Sequence, residues 1–286
     1  MILEATGLSF SYGLATPPIR GMSFRLAEPR RVALLGANGV GKSTLMMLLN
    51  GTLRPQKGEL AVLGQPIDYS RAGLHALRRD VGVVLQDPDD QLFAATVEQD
   101  VAFGLLNNGL DSAAARKIVN DTLGRLGISH LADRPVHELS LGEKKRAALA
   151  GILVLRPKII LLDEPTAGLD YAGITAMLGL LNDLYAAGTT LIVSTHDSDL
   201  AYEWADEAWV MHEGRIAAHG PVEDVFRLAE LLRGAHLRVP ALVELGLALE
   251  EANPAPGDGA LPRTREGLAE LIRRTIKGET KWQTKR

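Results

Sequence analysis

Three groups of residues in this sequence can do chemistry: a lysine and a serine behind spaced glycines, two adjacent carboxylates closing an apolar run, and a histidine closing another. Gly36, Ala37, Asn38, Gly39, Val40, Gly41, Lys42, Ser43 and Thr44 fit the phosphate-loop pattern G-x-x-x-x-G-K-S/T at every fixed position. Glycines let backbone N–H groups converge on phosphate oxygens, and a helix starting behind them adds positive potential. Lys42 is then placed to reach the β- and γ-phosphates of a nucleoside triphosphate, and the Ser43 hydroxyl to ligate Mg²⁺.

Asp163 and Glu164 end the apolar run that begins at Lys158. Two acids at the end of a buried strand are costly unless paired or metal-bound. In phosphate-loop enzymes an aspartate here orients Mg²⁺ and its water, and an adjacent glutamate can activate the attacking water. Gln86 closes another apolar run ahead of a proline-containing loop. It could hold a metal ion or the attacking water, or be an ordinary loop residue. His196 ends a parallel-type strand, where ligands sit in open α/β sheets. Ser140 with Glu143 three residues on reads as a capping box, so spacing alone favours a plain helix start over an anion-binding terminus. Tyr12 closes a strand upstream of the loop. Its ring could stack on a base, though such a tyrosine is more often packing.

Strands and turns must position these groups. Val32 to Leu35 reads as a buried strand and Thr44 to Leu49 as a helix, the context the phosphate loop needs. Further strands are expected over 2–5, 8–12, 22–26, 58–64, 81–85, 158–164 and 188–195, with a hairpin of 206–211 and 215–219 across Glu213-Gly214. Helices are expected over 72–79, 96–106 and 111–126, then from Ser140, and from Asp170 to about Ala187. Gly220-Pro221 marks a boundary. Beyond it helices are expected at 222–233, 240–251 and 265–277, with a proline- and glycine-rich loop over 253–262 and a solvated basic tail over 277–286.

The 286 residues make room for one large or two modest domains, and an apolar fraction of 46% suits a sizeable core. A net charge of −4 spread along the chain gives no sign of a nucleic-acid patch. The sequence has no cysteine, which rules out disulfides and thiolate metal sites and suits a cytosolic protein. No signal peptide is expected at Met1-Ile2-Leu3-Glu4, and the apolar run from Ala147 to Leu155 falls far short of the ~20 residues of a membrane helix. Any membrane role is expected to come through a partner.

Taken in order, Tyr12, the loop 36–44, Gln86, Leu139-Ser140-Leu141-Gly142-Glu143, the strand 159–164, Ala167-Gly168-Leu169-Asp170 and His196 resemble the nucleotide-binding subunit of an ATP-binding-cassette transporter. The resemblance covers 1–220 nearly end to end. It implies an α/β fold: a P-loop nucleotide-binding domain with a mixed-sheet core, a helical subdomain carrying the signature and N-terminal antiparallel strands. Residues 221–286 are expected to form a small, mainly helical C-terminal domain that holds two chains together. Within the superfamily, the stretches Gln86 to Phe93, Thr96 to Gly104 and Gly142 to Arg146, with Leu237-Arg238-Val239-Pro240, resemble the energy-coupling-factor group, especially cobalt and nickel importers. Leu141 departs from the pattern, because the usual signature carries a glycine there.

The resemblance implies ATP hydrolysis at a dimer interface, each ATP lying between one chain's phosphate loop and the other's signature, Ser140, Leu141, Gly142 and Glu143. Tyr12 then stacks on adenine, Ser43 and Gln86 hold Mg²⁺ with Asp163 acting through its water shell, Glu164 is the general base, and His196 senses the γ-phosphate. Asp170 belongs to the D-loop. The implied partners are a second copy of the chain, a transmembrane coupling subunit and a substrate-binding membrane subunit. Those partners place it on the cytoplasmic face of the membrane, with no nucleic acid involved. Vitamin uptake is the same chemistry with a different substrate subunit. A soluble cassette ATPase of the repair type would carry a long coiled coil between phosphate loop and signature, and no heptads lie there.

Overall fold

The computed structural model describes residues 1–13, 16–252 and 261–276. The tail 277–286, and all but the last two residues of the loop expected over 253–262, lie outside the described residues. The strands sort into two sheets. β1 (Leu3–Phe10), β2 (Ile19–Leu26), β4 (Lys57–Val62) and the short β5 (Gln65–Pro66) form a four-stranded antiparallel sheet in the order β2-β1-β4-β5. The second sheet has six strands: β3 (Arg31–Leu35), β6 (Val81–Val84), β7 (Ile159–Asp163), β8 (Thr190–Thr195), β9 (Glu207–His212) and β10 (Arg215–Pro221). Their order is β10-β9-β3-β8-β7-β6, parallel throughout except for β10 on its edge.

Except at the edge strand β10, the second sheet is buried on both faces, so its strands are mainly continuous apolar runs. Side chains alternate across the pleat. Val32, Leu34, Ile159, Leu161, Ile192 and Met211 meet the first sheet and helix α1 (Lys42–Leu49) on one side. Ala33, Leu35, Ile160, Leu162, Leu191 and Val193 face the helical layer on the other. That layer comprises α3 (Val97–Asn107), α4 (Ser112–Arg125), α5 (Leu141–Leu153) and α6 (Tyr171–Ala186), while α2 (Arg71–Asp80) has no buried residue.

Several elements differ from their expectation for local reasons. The runs 2–5 and 8–12 join into the single strand β1, which carries a register shift between Ala5 and Leu8 where Gly7 takes a positive φ. The short helix α7 (Ser198–Trp204) follows His196. At 7 residues it is too brief to show a period, and its one sequence signal is the cap, Asp197, which accepts from the Leu200 N–H. The expected helix 222–233 is two, α8 (Val222–Phe226) and α9 (Ala229–Gly234), because Leu228 leaves the helical region at ψ 59°.

β10 runs through the Gly220-Pro221 pair, which an edge strand tolerates because the missing N–H faces no neighbour. Beyond it lie α10 (Ala241–Ala252) and α11 (Arg265–Ile276). Val222, Val225, Phe226, Leu232, Leu237, Leu242, Val243, Leu261 and Leu268 are buried in the same apolar cluster as Tyr202, Trp204 and Ala208. Leu231 and Val239 are half-buried against that cluster, while Leu245 is exposed. Cutting the chain after Gly220 would therefore strip cover from the helical layer as well as remove the C-terminal helices.

Candidate functional site

The C-terminal ends of β3, β7 and β8 converge on one cleft, where open parallel sheets place their ligands. The cleft encloses about 530 Å³, and its walls include Tyr12, Asn38 to Thr44, Gln86, Asp163, Glu164 and His196. The loop after β3 needs its glycines. At Gly36 (φ 151°) an added Cβ would lie 2.7 Å from the Met211 carbonyl oxygen, and at Gly41 (φ 111°) 2.5 Å from that of Pro18. Neither position has room for a side chain, so the backbone turns tightly and delivers the first N–H groups of α1 to the cleft.

Lys42 is 7% exposed and its ammonium donates to the carbonyls of Gly36 at 2.7 Å and Ala37 at 3.3 Å. Burial pushes that ammonium below the ordinary lysine range, while the nearby Glu164 and Asp163 pull the other way. The Ser43 hydroxyl donates to one oxygen of Asp163 at 2.5 Å, and the Ser194 hydroxyl donates to the other. Glu164 sits at φ 46°, outside the strand region, with its N–H directed to the Ser194 carbonyl at 3.1 Å. Its own carbonyl accepts from the buried Lys145 ammonium at 2.9 Å. This pinned turn aims the Glu164 side chain into the cleft, where Oε1 lies 2.9 Å from His196 Nδ1. Burial pushes Lys145 down as well, against the pull of Glu164 and Asp87. The Tyr12 hydroxyl is 3.4 Å from Thr44 Oγ1, and its ring stands edge-on to Phe10 at 4.9 Å.

The remaining candidates lie elsewhere. Ser140 caps α5 in a complete capping box with Glu143, whose carboxylate accepts from the Ser140 N–H and hydroxyl at 2.8 Å each. Those two bonds hold the Glu143 carboxyl below the usual range. Leu141 is 41% exposed, yet its Cδ2 lies 2.7 Å from where a Cβ on Gly168 would stand. Gly142 is spaced 3.6 Å, by the same measure, from Leu169. Asp170 caps α6, accepting from the Gly173 N–H at 2.7 Å. Leu141 and Gly142 thus lie against the turn that leads to Asp170, and Ser140, Leu141, Gly142, Glu143 and Asp170 are all outside the lining of the cleft.

A profile of the ABC transporter family matches residues 19–167. The chain belongs to that family. Members are ATPases coupled to transport, and this cassette is an ATP-binding one. It is 47% identical to the cobalt import ATP-binding protein CbiO of Rhodobacter capsulatus over 268 residues, covering 94% of this chain and 96% of that one. It is 45% identical over 255 residues to the energy-coupling factor transporter ATP-binding protein EcfA of Methanocaldococcus jannaschii, 89% of this chain and 91% of that protein. The solved structure of cbiO1 from Clostridium perfringens, described as part of the complex cbiONQ, superposes with a TM-score of 0.73 at 44% identity over 85% of this chain and 98% of that one. An ATP-binding cassette dimer bound to ADP and phosphate shares the fold, with a TM-score of 0.71 at 23% identity over 77% of this chain and 99% of that one. The expected α/β cassette fold and the resemblance to the energy-coupling-factor group hold.

The structure of this ABC cassette also brings in residues that sequence reasoning passed over. Thr16, Pro17 and Pro18 line the cleft beside Tyr12, and Glu213-Gly214 closes it from the β9–β10 turn. Pro17-Pro18 and Glu213-Gly214 are turn signals in the sequence, but nothing local says that the turns face the phosphate loop. Ser194, fully buried between Asp163 and the Glu164 backbone, had a usable signal: a hydroxyl residue inside an otherwise apolar strand next to His196.

Proposed function

We propose that the chain is the ATP-hydrolysing subunit that energises import of a transition-metal ion, cobalt or nickel, through separate membrane subunits of an energy-coupling-factor transporter. The observation that carries this reading is end-to-end similarity to the cobalt import protein CbiO, together with a cleft lined by Lys42, Ser43, Gln86, Asp163, Glu164 and His196. Among the described residues no helix is long and apolar enough to cross a membrane. A place at the membrane therefore depends on partners, on its cytoplasmic face. An exposed aromatic pair, Phe93 and Phe103 with ring centroids 4.8 Å apart, lies just beyond the Gln86 loop and supports docking of a transmembrane partner there.

Within the cleft, the phosphate loop and Lys42 would hold the triphosphate and Tyr12 would stack on adenine. The donors near Ser43 are all oxygens, a serine hydroxyl and the Asp163 carboxylate with the Gln86 amide on the same wall, and they suit Mg²⁺ shared with phosphate and water. Bound there, the ion would neutralise charge on the β- and γ-oxygens. Glu164 takes the proton of the attacking water, and His196, hydrogen-bonded to it, faces the γ-phosphate position. The signature of a second copy would close the cleft, giving a homodimer with two equivalent sites.

The substrate is decided by co-expressing the chain with its membrane subunits and measuring uptake of radiolabelled cobalt, nickel and vitamins into vesicles. Metal uptake that disappears with Lys42→Ala is expected. Vitamin uptake without metal uptake would overturn the metal reading and favour the same role in a vitamin-importing energy-coupling-factor transporter.

We also propose that the C-terminal region 221–286 holds two nucleotide-free chains together, through apolar side chains it leaves exposed, Leu228, Leu245 and Ile272. Because the core crosses the Gly220-Pro221 boundary, a point change tests this better than truncation. Leu245→Glu should shift nucleotide-free protein towards monomer in sedimentation while leaving ATP binding intact. An unchanged monomer–dimer constant removes Leu245 from the contact.

A further inference from the structure

The short helix α7 begins two residues after His196, and both of its ends are held by the C-terminal region. In its first turn, Asp199 Oδ1 accepts from the Ala241 N–H at 2.9 Å, the first N–H of α10. That N–H has no partner within its own helix, so Asp199 satisfies it from outside. At the other end, the Arg263 guanidinium forks onto the carbonyls that finish α7. Nη2 donates to Tyr202 O at 2.8 Å and to Ala205 O, and Nε donates to Tyr202 O at 3.1 Å. Its Nη1 is paired with Glu223 at 3.2 Å, and the guanidinium lies 5.8 Å from the Tyr202 ring centroid. A planar fork that satisfies several carbonyls at once holds a helix end far more rigidly than a single ammonium.

Between these two attachments, α7 is tied to the reacting end of the cleft through few bonds. Asp197 caps it, and the Asp197 N–H is directed to Thr195 Oγ1 at 3.0 Å. His196 itself is 65% exposed at its side chain and has one hydrogen bond among the described residues, to Glu164 at 2.9 Å. Among the described residues that bond is the one polar tie of a mostly exposed imidazole, so its aim is set by Glu164 and by the backbone that enters α7.

We infer that Asp199 and Arg263 are positioning residues for ATP hydrolysis: the C-terminal region, by clamping both ends of α7, sets where His196 stands against Glu164. This rests on the reading of His196 as a group acting at the γ-phosphate. It also makes the C-terminal region part of the hydrolytic apparatus, so that a partner or a second copy binding there can change turnover through α7 without touching nucleotide.

The test uses the full-length chain. Arg263→Ala and Asp199→Ala should each lower kcat by a factor on the order of ten with KM for ATP unchanged, since a small misplacement of a reacting group acts on the transition state. Asp199→Asn keeps an oxygen that can accept from Ala241 and should restore kcat. Arg263→Lys reaches fewer carbonyls and should restore it in part. The His196 ring resonance, assigned by its disappearance in His196→Ala, should shift or broaden in both alanine variants and return in Asp199→Asn. Should Arg263→Ala not fold, the Asp199 pair decides alone. Folded alanine variants with wild-type kcat, or with an unmoved His196 resonance, would overturn the clamp. Wild-type kcat in His196→Ala would instead overturn the role given to His196, a separate failure.

Discussion

Glu164→Gln should leave ATP bound and slow its hydrolysis by a factor on the order of 10² or more, the loss expected when a general base is removed. The argument starts from backbone. Glu164 leaves the strand at φ 46°, and that turn is held by the Ser194 carbonyl on one side and the Lys145 ammonium on the other. None of these bonds uses the side chain, so glutamine should keep the turn. Its amide oxygen can still accept from His196 Nδ1, as the carboxylate does at 2.9 Å. What glutamine cannot do is take a proton. The substitution therefore separates geometry from chemistry, and the variant should accumulate as an ATP-bound dimer visible by gel filtration. Single-turnover hydrolysis is the deciding measurement. A rate near that of the unaltered protein removes Glu164 from the role and leaves His196 as the group to examine.

How much of this was legible in the sequence depended on whether the signal was local. The phosphate loop was, because Gly36 and Gly41 have φ values and close backbone neighbours that no other residue tolerates. Asp163 and Glu164 were, because adjacent acids at the end of a buried strand need an explanation. The strands β3, β6, β7 and β8 were read from unbroken apolar runs, since both faces of the sheet are covered there, and β9 and β10 from the Glu213-Gly214 turn. The rest is set by long-range packing. Pro17, Pro18 and Gly214 reach the cleft only because β2 and the β9–β10 turn meet there, where the Arg20 N–H is directed to the Gly214 carbonyl at 2.8 Å. The continuation of the core past Gly220 was hidden for a related reason. Val222, Val225 and Phe226 carry an apolar pattern that fits a separate small domain as well as a cover for Tyr202, and only the tertiary contact tells them apart.

Ser140→Arg should abolish hydrolysis and leave ATP binding by the single chain almost intact. Within one chain the signature lies outside the lining of the cleft, joined instead to the Gly168–Asp170 turn through Leu141. A residue that acts on ATP from that position must act on the ATP of another chain. The bulky cation would then stand where the signature hydroxyl should meet the other chain's ATP and spoil that one composite site. Loss of the cap is a smaller effect: Ser140 accepts from the Glu143 N–H, and removing such a cap costs about 1 kcal/mol, too little to unfold the helix. The sharper arm mixes this variant with Lys42→Ala, which retains its signature but loses the lysine that the phosphate loop buries. Neither variant should hydrolyse ATP by itself. In the mixed dimer, the intact phosphate loop of the Ser140→Arg chain faces the intact signature of the Lys42→Ala chain, so one composite site is whole and part of the activity should return. Titrating one variant into the other should give a maximum at an intermediate ratio. A flat line at every ratio would mean that the signature serves its own chain, and the packing of Leu141 on Gly168 would then have to be read as the way it reaches its own nucleotide.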